Sequence, residues 1–156
     1  MPVIFLVFGL LILMNALGLE DSLRPPAGTL TASLSDQAYG NAFLTYQAAV
    51  VDAVQQNGIS GSSVAVAIPS VAGGRNIALP GAGNVVSQSG NTITIAVYAA
   101  LTSSQLQATI AQSGGNATLG WARSGQWVSP LYGQMGPIPL SVPDRDAVSF
   151  IALNRN

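Results

Sequence analysis

Cysteine, histidine and lysine are all missing from this sequence. Their absence removes disulfides, thiolate catalysis, Ser-His dyads, lysine nucleophiles and zinc sites built on cysteine or histidine. Charge of either sign is scarce, at 7% of the chain, where an average soluble domain carries about 25%. The formal net charge is −1, and the 5 positive charges, all arginines, are scattered along the chain. A nucleic-acid surface needs clustered cations, so no nucleic-acid partner is expected. Left for chemistry are 6 carboxylates, the arginines, 4 tyrosines and many hydroxyls that no histidine or lysine can activate. No catalytic, cofactor or metal site is expected from such a set, and no small-molecule substrate. A surface rich in Ser, Thr, Asn, Gln, Gly and Ala suits work outside the cytoplasm.

What is abundant comes first. In "PVIFLVFGLLILMNALGLED" every residue over 2–19 is apolar apart from Asn15 and two glycines. At 1.5 Å per residue a helix of about 18 residues spans roughly 27 Å, enough for a bilayer core. Charge then begins at Glu20 and Asp21, and no arginine precedes the run. The expectation is a membrane anchor over residues 1–22, a single transmembrane helix with its N-terminus cytoplasmic. A signal peptide cleaved after Gly18 is the main rival, because Ala16 and Gly18 are small at the two positions a signal peptidase reads. A buried soluble helix is the third reading, disfavoured by a run apolar on every face. Pilins also begin with an apolar helix, but they keep a glutamate near its start, whereas Glu20 follows the run.

"LRPPAGTL" opens a linker expected over residues 23–32, since two prolines and a glycine cannot continue a helix. Over residues 33–56 the pattern turns helical. Leu34, Ala38, Ala42, Tyr46, Ala49, Val50, Ala53 and Val54 recur at three- and four-residue spacing, with Phe43 flanking the stripe. Ser33 and Asp36 cap it, and Asn57-Gly58 stop it. Residues 61–70 read as an extended piece ended by Pro69, or as a loop delivering Ile68 to the core. Residues 71–83 read as loop; their glycines lack the spacing of a P-loop or a dinucleotide fold.

"NVVSQSGNTITIAVYAA" predicts a β-hairpin, with Ile93, Ile95 and Val97 alternating with Thr92, Thr94 and Ala96 after a turn at Ser89-Gly90-Asn91. A short helix follows, capped at Thr102 or Ser103 and stopped by Gly114-Gly115. "ATLGWARSGQWVSP" reads as two strands about a turn at Ser124-Gly125, a proline-glycine crossing comes next, and "AVSFIALN" is the closing strand. The fold expected for residues 33–156 is therefore α+β: a long amphipathic helix packed on a small, mostly antiparallel sheet.

Asp144, Arg145 and Asp146 form the one charge cluster. Paired acids could hold a metal, but a triplet after Pro143 and before an apolar strand fits a turn better. Trp121 and Trp127 flank the Ser124-Gly125 turn, and their even separation puts them on one sheet face if that turn is ideal. Either a stacking pair or two packing tryptophans results. Tyr39, Phe43 and Tyr46 on the helix, with Trp121 and Trp127, are the candidate partner-binding residues, and packing in the core is the alternative for each.

The stretches "FLTYQAAVVDAV", "ATLGWARSGQWVSP" and "IPLSVPDRDAVSF" resemble the PilM family of thin-pilus systems, encoded with the type IV pilus genes of I-complex conjugative plasmids. The sharpest likeness lies in Gly125-Gln126-Trp127-Val128-Ser129-Pro130 and in Ile138-Pro139-Leu140 leading to Val142-Pro143-Asp144. This family is distinct from the cytoplasmic actin-like ATPase of the same name, whose nucleotide site has no counterpart here. The resemblance implies a non-enzymatic component of the pilus biogenesis or pilin transport apparatus. It would be a single-pass protein of the bacterial inner membrane with its C-terminal domain in the periplasm. Its partners would be other pilus-machinery proteins, and it brings no catalytic residues with it. The alternatives are a pilus-associated, minor-pilin-like subunit and a secreted, carboxylate-dependent cell-wall hydrolase.

Overall fold

The computed structural model describes residues 27–58, 61–71, 77–138 and 140–154. The expected anchor over residues 1–22, including the cleavage point after Gly18, lies outside the described residues, as do residues 23–26. Among the described residues no helix is long and apolar enough to cross a membrane.

Helix α1 runs Ala27–Asn57. It thus takes in residues 27–32, which the sequence assigns to a linker. Pro25 and Pro26 stand immediately before it. Proline suits a helix start, because its fixed φ is already helical and its missing N–H has no acceptor there. The pair marks where the helix begins. At the other end Gly58 takes φ 69 and its N–H reaches the Val54 carbonyl at 3.0 Å, closing the last turn.

Two short strands, β1 (Ser70–Val71) and β2 (Ile77–Ala78), pair antiparallel inside the stretch expected to be loop. Their anchors are Val71 and Leu79, both buried, while Ile68 stays 44% exposed. Ile68 is therefore not the residue this segment delivers to the core. Strands β3 (Gly83–Ser89) and β4 (Thr92–Ala99) form the predicted hairpin, with Gly90 at φ 59 opening its two-residue turn. Helix α2 (Ser103–Gln112) starts at a capping box: the Thr102 hydroxyl accepts from the Gln105 amide while the Gln105 side chain accepts from the Thr102 amide. Then follow β5 (Leu119–Arg123), β6 (Gln126–Ser129), β7 (Gly133–Pro137) and β8 (Ala147–Asn154). Strand β7 occupies part of the stretch read as a plain crossing.

The main sheet is antiparallel throughout, in the order β3-β4-β8-β5-β6-β7. The last strand of the chain is thus inserted between β4 and β5, where it holds two hairpins together. Registers Ile93↔Leu153, Ile95↔Ile151, Val97↔Ser149 and Ala99↔Ala147 fix the two faces, because partners directly opposite share a face. On one face Ile95, Val97 and Leu119 meet Phe43, Tyr46, Val50 and Val54 of α1 and Leu106 and Ile110 of α2. On the other, Ala96, Ala122 and Val148 are covered by Ile138, Leu140 and Val142 from the chain between β7 and β8. The predicted helix on an antiparallel sheet is what is found, with a second helix beside the first.

The buried residues of α1, Ala42, Phe43, Tyr46, Val50 and Val54, follow helical spacing. Leu34 of the expected stripe is 66% exposed, and Phe43, placed at its flank, is fully buried. The helices touch at Gly40, where a Cβ would sit 2.6 Å from Gln112 Oε1 and 3.2 Å from the Thr109 Cα.

Glycine has a similar use on the second face. A Cβ at Gly120 would lie 2.5 Å from the Val128 carbonyl oxygen and 2.7 Å from Trp127 Nε1. The indole therefore lies over a bare backbone. Replacing Gly120 by alanine forces the backbone or the indole to move, and overpacking of this kind costs about 1–3 kcal/mol. Urea titration followed by tryptophan fluorescence will report it as a lower midpoint with an altered native spectrum.

Candidate functional site

An open cleft of about 610 Å³ lies where α2, β5 and the turn before β8 converge, lined by Leu101, Ser103, Trp121, Ala122, Arg123, Asp144 and Arg145. Each wall has a local cause. Leu101 is buried just ahead of the Thr102 cap, which sets the first residue of α2, Ser103, at the rim. Trp121, Ala122 and Arg123 are the last three residues of β5. Ser124 (φ 48) and Gly125 (φ 73) are both left-handed, so β5 turns into β6 through the tight two-residue turn that favours such angles.

The third wall is the Asp144–Asp146 turn. The Asp146 amide points to the Pro143 carbonyl at 3.5 Å. Arg145 at φ 71 occupies the left-handed position that glycine usually takes. Its amide donates to the Ala122 carbonyl at 2.8 Å, and the Ala122 amide donates to the Asp146 carbonyl at 2.9 Å. Two residues thus oppose one, a bulge that extends the β5–β8 pairing and turns the chain aside. The Asp144 carboxylate accepts from the Ser124 amide and ties this turn to the β5–β6 turn. Desolvation by partial burial pushes the Asp146 carboxyl above its ordinary value.

Of the five aromatic residues singled out in the sequence, only Trp121 lines the cleft. Phe43 and Tyr46 are inside the main core, where the Tyr46 hydroxyl accepts from Asn84 Nδ2 at 3.0 Å. Tyr39 is half-buried against the same core. Trp127 belongs to the opposite face, with its ring centroid 5.6 Å from that of Phe150. The expectation that the tryptophans share a face therefore fails. In a two-residue hairpin Arg123 pairs with Gln126 and Ala122 with Trp127, so Trp127 shares the Ala122 face and Trp121 the face of Val128. The Trp127 indole N–H is buried with no acceptor among the described residues, and the ring contributes apolar packing there.

The cleft residues that sequence reasoning missed are Leu101, Ser103, Ala122, Arg123 and, as a functional group, Arg145. The signal available for the arginines was their scarcity. Among the described residues the cations are Arg123 and Arg145, and both line this cleft. A separate groove of about 420 Å³ runs between Gln107, Ile110 and Ala111 of α2 and Pro130-Leu131.

The family model for PilM matches residues 10–150, which include every residue of the cleft. The chain belongs to the PilM family. The likeness read in residues 125–130 and 138–144 was therefore a true family signal, and membership ties the chain to pilus biogenesis, with pilus-assembly proteins as its partners. The crystal structure of the PilM protein from Escherichia coli B7A is similar, with a TM-score of 0.51 and 19% identity, covering 82% of this chain and 98% of that one. At that identity the likeness speaks for a shared PilM fold alone. No curated protein matches the chain significantly.

Proposed function

We propose that this PilM-family chain is a non-enzymatic component of a type IV thin-pilus biogenesis apparatus linked to conjugation. Residues 2–19 hold it in the bacterial inner membrane as a single pass, and the α+β domain stands in the periplasm as a docking module for other machinery proteins. The observation that carries this reading is the extent of the family match, which begins at residue 10, inside the apolar run, and continues to residue 150 in the closing strand. The matched region thus takes in part of the apolar run as well as the domain, which supports reading the two together. The chemistry of the cleft supports docking over catalysis: its one carboxylate, Asp144, is already committed to the Ser124 amide.

The test is deletion of the gene with complementation by the full chain tagged at Asn156. Loss of thin pili and of mating in liquid is expected, restored by the tagged chain. The tag should sediment with inner membrane and be open to protease from the periplasmic side. Normal piliation in the deletion strain would refute the assembly role, and a freely soluble tagged chain would refute the anchor.

A further inference from the structure

We propose that the cleft between α2 and the Asp144–Asp146 turn is the docking site for an acidic peptide segment of another pilus-machinery protein, which presents a carboxylate to Arg123 and Arg145 beside an apolar side chain on Leu101 and Trp121. The inference rests on the assembly reading above and names the chemistry of the partner.

Charge comes first. A chain with a net charge of −1 and cations this sparse brings two guanidiniums to one depression. Guanidinium groups recognise carboxylates through paired, charge-assisted hydrogen bonds. Asp144 is the acid in the lining, and its carboxylate already accepts from the Ser124 amide. Asp146 of the same turn is not among the lining residues, so within the lining itself two cations face one carboxylate, a balance that suits an incoming carboxylate better than a phosphate dianion. The N-terminal end of α2 adds to the attraction. Ser103 lines the cleft as the first residue of that helix, whose aligned peptide dipoles favour an anion there.

Shape and apolar lining define the rest of the occupant. A cleft of about 610 Å³ is too large for a lone carboxylate and falls in the range that takes a drug-sized ligand or a short peptide. Leu101 and Trp121 offer an apolar floor next to the charges. An aromatic and an arginine in one depression are the residue types that dominate binding energy at protein interfaces. The left-handed backbone at Arg145 strengthens the case. Glycine would adopt φ 71 without strain, so an arginine there is held against a local preference.

That strain makes a test that separates binding from folding. Arg145→Gly removes the cation and relieves the backbone, so its thermal midpoint should equal or exceed that of the wild type. Arg123→Gln removes an exposed side chain, with little effect on stability. The double variant should accumulate in the membrane like the wild type. The full chain, expressed with the rest of its pilus genes, should carry a photo-crosslinking amino acid in place of Ser103. Irradiation of the chain that keeps both arginines is expected to join the cleft to a pilus-machinery protein through a peptide that contains aspartate or glutamate. In the double variant the cross-linked yield should fall roughly tenfold or more, because each guanidinium contributes charge-assisted bonds, and piliation should fall with it. Wild-type piliation by the double variant would overturn the inference, as would a cross-linked peptide without an acid or a cross-link to a second copy of this chain. If deletion abolishes pili and the double variant restores them fully, the cleft inference fails and the assembly reading stands. If deletion leaves pili intact, both fall.

Discussion

Phe43→Ala will lower the stability of the domain by about 3–5 kcal/mol, the range for truncating a fully buried phenylalanine. The ring has no exposed surface and sits among Val50, Ile95, Val97 and Leu106, where α1 meets the sheet. Removing it loses the transfer free energy of the ring and leaves a cavity that two helices on a hydrogen-bonded sheet cannot collapse to fill. For a domain of this size the melting midpoint should fall by on the order of 15 °C. Leu34→Ala is the control. Leu34 is 66% exposed on the same helix, and its truncation should stay within about 0.5 kcal/mol of wild type. Urea titrations of the full chain followed by tryptophan fluorescence will separate the two. A Phe43→Ala loss under 1 kcal/mol, or a Leu34→Ala loss as large as that of Phe43, would mean that α1 packs by a different face. The same pair decides the role of Phe43, because a partner-binding residue would leave the midpoint unmoved and weaken assembly.

The contrast between Leu34 and Phe43 also shows where the sequence stops being legible. Periodicity found the helix and most of its stripe. It could not tell which edge of that stripe carries the ring, since Leu34 and Phe43 flank the same arc and only the sheet beneath decides. Local chemistry was readable at several turns and caps. Gly90 signalled the β3–β4 turn, Thr102 with Gln105 started α2, and the alternation of β4 fixed which of its residues face the core. Non-local pairing was not. Nothing in "AVSFIALN" says that it lies between β4 and β5, and β7, five residues with two glycines and a proline, carries little alternation to detect. The cleft was hidden for the same reason. Arg123 and Arg145 are far apart in sequence, and they line one cleft because Ala122 pairs across the bulge with Arg145 and Asp146. Only the tight turn could have been turned into a prediction about the tryptophans: two central residues at Ser124-Gly125 already imply that Trp121 and Trp127 face opposite ways.

Asn84→Ala will cost about 3 kcal/mol through unmet hydrogen bonds, with little lost packing volume. Asn84 lies on the helix-facing side of β3, at 8% exposure, and works as a clamp. Its Oδ1 accepts from the Val64 amide at 2.8 Å, and its Nδ2 donates to the Val64 carbonyl and to the Tyr46 hydroxyl, each at 3.0 Å. Two residues further along, the Val86 amide donates to the Ser62 carbonyl at 2.8 Å. The chain at residues 61–66 is therefore pinned along the outer edge of β3 by one backbone bond and one side-chain amide. Alanine at 84 leaves both polar groups of Val64 and the Tyr46 hydroxyl without their partner. Tyr46→Phe removes only the hydroxyl, leaves Nδ2 its bond to Val64, and should cost about 1 kcal/mol. Asn84→Asp keeps the acceptor and loses both donors. It should be at least as damaging as alanine at neutral pH, and milder in acid, where a protonated carboxyl regains one donor. Hydrogen exchange gives the local readout: the amides of Val64 and Val86 should lose protection in Asn84→Ala well before those of β4. Freed from its cover, the edge of β3 becomes an open row of donors and acceptors, so the variant should also aggregate more readily than one of equal stability damaged in the core. An Asn84→Ala chain within about 0.5 kcal/mol of wild type, with both amides still protected, would show that residues 61–66 are held by something other than this clamp.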